Sequence, residues 1–266
     1  MIKHGWELSD KDIAQKYQSV ANKRHYDIVE SHQMIKRMIH VCVSHGWLSR
    51  EKRTKLLDLG CGTGVLLESL CSIFKGWECL GIDPSYPEEK PPKVIMENGI
   101  LYHGSAYNIK AKTSSMDLII MSDIIEHLNR PDDALREVAR VLNRQGVVIL
   151  TVPNGTAFIG WKLWEKLLPF SWANKRLLPS EHPKRTWQPI DTLYEYNEIL
   201  ALLNKNKFEI LAMSSTQFIP PILYSAPILG RFYKKYNLDK LMSKIFPIKF
   251  GYRLILVAQK TADNVK

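Results

Sequence analysis

The stretch "KLLDLGCGTGVLLESL", residues 55–70, constrains this chain more than any other part of it. An apolar run ends in Gly60, Gly62 and Gly64, and a second apolar run begins at Val65. Strand, bare backbone and helix in that order let the chain turn sharply and bring a ligand close to the mouth of the helix. A phosphate loop of the Walker type needs Lys followed by Ser or Thr after its last glycine, and Val65 and Leu66 stand there instead. The dinucleotide fingerprint G-x-G-x-x-G needs a glycine at position 65, where the Cβ of Val65 would crowd a pyrophosphate. What remains is G-x-G-x-G with Asp58 before it and Asp83 at the tip of the next strand. Two carboxylates suit a ligand that bears a cation and a ribose, and they repel a phosphate chain. Asp58 either orients the loop or faces an ammonium group, and Asp83 can accept both ribose hydroxyls.

Further along, "ECLGIDP", "GILYHGSA", "MDLIIMSD" and "GVVILTVPN" read as strands. The last is an almost continuous apolar run of the kind buried on both faces of a parallel sheet. Between the third and fourth of these, "PDDALREVARVL" reads as a helix, with Pro131 at its start and Asp132 and Asp133 in its first turn. Strands separated by helices predict a doubly wound α/β sheet. Residues 1–50 read as a helical cap, with Met34, Ile35, Met38 and Ile39 at helical spacing. After Asn154 the rhythm breaks into an aromatic and basic segment, residues 155–190. It resumes with the helix "IDTLYEYNEILALLNKN" and the strands "KFEILAMSS" and "YRLILVAQK". The expected organisation is therefore 1–50 cap, 51–154 ligand-binding core, 155–190 insertion, and 191–266 remainder of the sheet.

The charge balance of +10 is unevenly placed. From Arg231 onward nine Lys or Arg face only Asp239 and Asp263, a patch that could meet nucleic acid, anionic lipid or an acidic substrate. Cys42, Cys61, Cys71 and Cys79 form no C-x-x-C pair, so a reduced, cytoplasmic setting is expected. The first residues, "MIKHGWELSDKD", carry no apolar h-region, and "FIPPILYSAPILG" is too short and too rich in proline to span a bilayer.

"LLDLGCGTG" followed by "GIDPS" resembles the first two motifs of the class I S-adenosylmethionine-dependent methyltransferases, a likeness covering at least residues 50–154. The resemblance implies a Rossmann-like, mostly parallel seven-stranded sheet whose last strand is antiparallel. It also implies S-adenosylmethionine as the methyl donor. Gly60, Cys61, Gly62 and Gly64 would wrap the methionine part of that donor. Asp83 and the following Pro84 would border the ribose, and Ser122 would lie along the methionine moiety. Relatives often carry an acid near the end of the third strand for the adenine amino group. This chain has Ser105 and Ala106 in that place. Tyr26 would cover the donor from the N-terminal helix.

In "SDIIEHL", Asp123, Glu126 and His127 stand at i, i+3 and i+4, one face of a helical turn. Such a trio can orient the loop, hold a divalent cation, or let His127 deprotonate an acceptor hydroxyl. The Glu-His pair resembles that of the quinone-pathway O-methyltransferases, in which an acid-x-x-Glu-His group binds magnesium. Asp123 stands where those proteins usually have glutamate. His182, in "SEHPKRTW", is a second candidate for the acceptor pocket.

The aromatic insertion, with Phe158, Trp161 and Trp164 on one helical side, would form a lid over an apolar, small or lipid-linked acceptor. With the basic C-terminal part it would also suit contact with a membrane surface. An RNA methyltransferase is the first competing reading. Against it, no N-P-P-Y or D-P-P-Y motif follows the fourth strand of the core, and "SDIIEH" stands there. A catalytically silent binding module is the second, and the intact glycine loop with Asp58 and Asp83 argues against it.

Overall fold

The computed structural model describes residues 26–49, 53–157, 192–218, 229–236 and 238–261. Helix α1 (Tyr26–Ser44) precedes strand β1 (Lys55–Leu59) and helix α2 (Val65–Ile73). Strands β2 (Glu78–Asp83), β3 (Lys93–Met96), β4 (Gly99–His103) and β5 (Met116–Ser122) follow, then a 3-10 turn at Ile125–His127. Helix α3 (Pro131–Val141), strand β6 (Leu142–Pro153), helix α4 (Tyr196–Lys205) and strand β7 (Phe208–Thr216) come next. Helices α5 (Leu229–Lys235) and α6 (Leu238–Ile245), a 3-10 turn at Ile248–Phe250 and strand β8 (Arg253–Lys260) complete the order.

The strands form one sheet in the order β3-β4-β2-β1-β5-β6-β8-β7. β2, β1, β5 and β6 run parallel, while β8 is antiparallel to both β6 and β7, as expected of the last strand. The sheet has eight strands rather than the expected seven. The extra one is β3, which pairs antiparallel with β4 through Val94 and Ile100. It is only four residues long, "KVIM", with Lys93 and Val94 exposed and Ile95 and Met96 half-buried, too short a run to show a period.

Two cores flank the sheet. On one face α1 and α2 bury Ile35, Ile39, Leu67 and Leu70 against Leu56, Leu118 and Ile149. On the other, α3 and α4 bury Leu135, Val138, Ile199 and Leu203 against Leu57, Ile119, Leu150 and Leu256. Strand residues of alternate parity thus serve opposite faces, and both faces are covered, which explains the unbroken apolar runs of β5 and β6. Helix α4 starts at Tyr196 because Glu195 and Glu198 form a reciprocal capping box there. The expected start at residue 190 is therefore too early. Among the described residues no helix is long and apolar enough to cross a membrane.

Candidate active site

The loop after β1 is built by conformation and close packing. Gly60, Gly62 and Gly64 all have positive φ, at 78°, 55° and 87°. Gly60 is held under the 122–128 segment, where a Cβ would clash with Ile124 Cγ2. At Gly62 a Cβ would meet nothing within 4 Å, so this part of the loop faces open space. The Gly60 amide donates to Ile82 O at 2.8 Å and the Gly64 amide to Cys61 O at 2.9 Å, closing the turn against β2.

Asp83 ends β2, almost fully buried, and organises this loop. Its Oδ2 accepts the Gly62 amide at 2.7 Å, and its Oδ1 accepts both the Ser85 amide at 2.7 Å and the Ser85 hydroxyl. Oδ1 thus has both lone pairs engaged, whereas Oδ2 keeps one with which Asp83 can still accept a ribose hydroxyl. Pro84 follows on the surface, exposed. Asp58 lies behind the loop, 1% exposed, and its Oδ2 has no hydrogen-bond partner. Burial, then the charge of Asp83, then Cys71 push its pKa up to about 7.

The Cys61 side chain is turned to the sheet. A Cβ at Gly81 would stand 2.8 Å from Cys61 Sγ, which places the thiol against the sheet, and burial pushes its pKa up. Ser105 and Ala106 follow β4, and the Ser105 hydroxyl oxygen accepts the Tyr107 amide at 3.2 Å, which leaves its own proton to donate. Tyr107 Oη accepts the Asn129 amide at 3.0 Å and thereby ties the segment after β4 to the segment after β5.

Ser122, half-buried at the tip of β5, sits beside Thr151 of β6. Asp123 has a left-handed backbone, φ 52°. Thr151 Oγ1 donates to Asp123 Oδ1 at 3.0 Å, and Arg253 Nη1 donates to Asp123 Oδ2 at 2.7 Å. This corrects the expectation of a helical turn that gathers Asp123, Glu126 and His127. The 3-10 turn begins only at Ile125, and the Asp123 carboxylate is turned to β6 and β8. Glu126 is 2% exposed, and its Oε1 lies 3.9 Å from His127 Nε2. Among the described residues no group of three or more His, Cys, Asp or Glu is placed to hold a metal ion, so magnesium at Asp123, Glu126 and His127 finds no support in this geometry.

The roots of the expected insertion lie beside this pair. The Thr192 amide donates to Glu126 O at 2.8 Å, the Gly155 amide to Tyr194 O at 2.7 Å, and the Tyr196 amide to Thr156 Oγ1 at 2.9 Å. Burial, with Glu126 next, pushes the Tyr194 phenol up to about 12. The described residues on either side of the expected insertion are therefore bonded to each other, and the second of them also to Glu126. His182, the aromatic stripe of the insertion and the side chain of Tyr26 lie outside the described residues.

Two contributors escape the sequence reading. His32 on α1 is partly buried, and burial and Lys36 push its pKa down to about 4 while Asp123 pulls upward. Arg253 comes from the far end of the chain. The helical spacing of His32 with Ile35 and Ile39 was a usable signal, whereas nothing local marks Arg253.

A glycine turn flanked by acids, at the carboxyl edge of a sheet in this order, defines a class I nucleoside-binding methyltransferase fold. Residues 12–204 match the model of the methyltransferase domain family. The chain belongs to this family, within the class I S-adenosylmethionine-dependent methyltransferases. It is 30% identical over 142 residues to the ubiquinone biosynthesis O-methyltransferase of Pelagibacter ubique (strain HTCC1062), covering 49% of this chain and 58% of that one. It is 25% identical over 195 residues to the mitochondrial ubiquinone biosynthesis O-methyltransferase of Saccharomyces cerevisiae (strain ATCC 204508 / S288c), covering 65% and 55%. The chain thus spans rather more than half the length of these two curated relatives. A solved S-adenosylmethionine-dependent methyltransferase from Thermotoga maritima superposes with a TM-score of 0.54 at 18% identity, over 94% of this chain and 100% of that one, and shows the shared fold.

The family implies S-adenosylmethionine, and the residues fit it. Gly62 presents bare backbone to open space, Asp83 stands beside it at the carboxyl end of β2, and the Asp58 oxygen without a hydrogen-bond partner is a buried acid that a cationic ligand would ionise.

Proposed function

We propose that this chain transfers a methyl group from S-adenosylmethionine to a phenolic oxygen of a quinone-like acceptor. When bound, the donor supplies an electrophilic methyl carried on a sulfonium. The residues of the chain would then do three things. The glycine turn and Asp83 would fix the nucleoside end, so that in-line geometry is set before the acceptor arrives, a contribution that can reach effective molarities of ~10⁵ M. His127 would take the proton of the acceptor hydroxyl, because a phenolate attacks a methyl carbon far better than a phenol does. The neighbouring Glu126 carboxylate would stabilise the imidazolium so formed; the O–C bond forms as the donor's S–C bond breaks, giving the methyl ether, the neutral thioether S-adenosylhomocysteine and the proton on His127.

The observation that carries this reading is the placement of Glu126 and His127, 3.9 Å apart, at the same sheet edge as the cradle and at the roots of the insertion. The names of the quinone-pathway relatives support an oxygen acceptor of this class. The test is incubation with isotope-labelled donor and a panel of catechols and hydroquinones, with and without prenyl tails, read by mass spectrometry. A labelled methyl ether on a member of the panel is the expected product. Labelling only of RNA from the same extract would favour the RNA reading. Donor binding without turnover on any acceptor would favour a silent binding module.

A further inference from the structure

The described parts of the connection between β7 and β8, residues 217–218, 229–236 and 238–252, stand at the carboxyl edge of the sheet, beside the site. Its base is fixed to the site's own strands. Asn154, fully buried after β6, donates from Nδ2 to Lys249 O and Gly251 O, both at 2.8 Å, and its amide donates to Tyr252 O at 2.7 Å. Arg253 then pairs with Asp123.

Above that base the described helices turn apolar groups outward. On α6, Leu238, Leu241, Met242 and Ile245 recur at the spacing of a single helical face. That face is not packed away: Leu241 is 54% and Ile245 62% exposed. On α5, Tyr233 is buried and anchors the helix. Phe232 and Tyr236 are 53% and 56% exposed with their rings 4.6 Å apart. Phe246 and Phe250 continue the exposed series. Residues 229–250 carry six Lys or Arg, against Asp239 alone. Lys235, Lys240, Lys244 and Lys249 are exposed among the apolar groups.

We propose that this connection docks on an anionic lipid surface, with Leu241, Ile245 and the phenyl rings at the acyl boundary and the lysines among the headgroups. The proposal deepens the reading of a lipophilic acceptor and rests on it for its purpose, since it would set the mouth of the site against the membrane that holds such an acceptor. Interfacial helices gain from apolar burial and from attraction to anionic lipid together, and this surface offers both. A second copy of the chain is the poorer occupant, because a two-fold contact would bring the same positive patch against itself. Nucleic acid is also poorer, because aliphatic Leu241 and Ile245 give bases no stacking platform.

Flotation of the full chain with vesicles of phosphatidylcholine, with and without phosphatidylglycerol, tests the proposal in the absence of any acceptor. Binding to the anionic vesicles is expected, weakened about tenfold or more by Lys240→Gln with Lys244→Gln, and lost progressively with salt. The pair Leu241→Glu and Ile245→Glu should abolish binding with no fall in Tm, because both side chains are already largely in water. Equal binding to neutral and anionic vesicles, unchanged binding by both double variants, or a dimer that Leu241→Glu with Ile245→Glu disperses would each overturn it. The two readings fail separately. A chain that floats but methylates no quinol loses its acceptor and keeps its surface. One that methylates a soluble catechol but ignores vesicles loses the surface alone.

Discussion

Arg253, the first residue of β8, grips Asp123, the residue after β5, through a 2.7 Å ion pair that bridges 130 positions of sequence. The pair holds a non-glycine residue in the left-handed region, a conformation that aspartate tolerates better than most. Everything from Ile124 to His127 hangs from that corner. Both side chains are largely buried, so Arg253→Met should strand the Asp123 carboxylate and destabilise the fold by about 1–3 kcal/mol. Chemical denaturation reads this directly, and an unchanged midpoint would mean that the pair holds nothing in place.

The three glycines should separate by experiment. Gly60→Ala drives a Cβ into Ile124 and should lower Tm markedly. Gly62→Ala meets open space, so it should lose only about 1–2 kcal/mol of stability to its positive φ. Its Cβ would instead project into the ligand's place, and affinity for S-adenosylmethionine should fall at least as far as for Gly60→Ala. Calorimetry of both variants, with stability measured in parallel, distinguishes cradle from scaffold.

Asp83→Ala removes the acceptor of the Gly62 and Ser85 amides as well as the expected ribose contact. The donor's affinity should weaken by roughly 1–3 kcal/mol. Titration giving an unchanged Kd would take Asp83 out of the site.

Asp58 and His32 give the free protein opposite responses to pH. The Asp58 pKa is raised to about 7, so the folded state holds its proton more tightly than the unfolded chain, and stability falls as pH climbs from about 4 to about 7. His32 is lowered to about 4, so between pH 4 and 6.5 the unfolded chain binds the extra proton and stability rises with pH. The two slopes should partly cancel in that interval. Asp58→Asn should expose the His32 slope as a Tm that rises by several degrees with pH. A cationic donor favours the ionised acid, so affinity for S-adenosylmethionine should also increase as pH passes through about 7 and should level out in Asp58→Asn. A pH-independent Kd in the unmodified chain would argue that Asp58 does not sense the ligand's charge.

His127→Ala should lower turnover far more than donor affinity if His127 is the base. Activity recovered at higher pH, where the acceptor ionises unaided, would support that role. Equal loss of turnover and affinity would mark His127 as a residue that only orients the loop.

The cradle was legible because its chemistry is local. Gly60, Gly62 and Gly64 need positive φ within a few residues of one another, and Asp58 and Asp83 lie on β1 and β2, neighbouring parallel strands whose carboxyl ends flank the turn. The strand edges of β5 and β6 were legible too, since a strand buried on both faces must be apolar throughout. The short edge strand β3 was not, because four half-exposed residues carry no period. The orientation of Asp123 was not either: its i, i+3, i+4 spacing with Glu126 and His127 is equally compatible with a helix and with the bent turn observed.

The sequence by itself determined the class of ligand, because backbone conformation and neighbouring charge set what a glycine turn can accept. Only the tertiary structure decided which way Asp123 faces, that His32 shares its surroundings, and that a stripe of leucine, isoleucine and aromatic side chains beside the site points outward. Those outcomes depend on partners contributed from distant strands and helices, and a one-dimensional pattern carries neither their direction nor the space left between them.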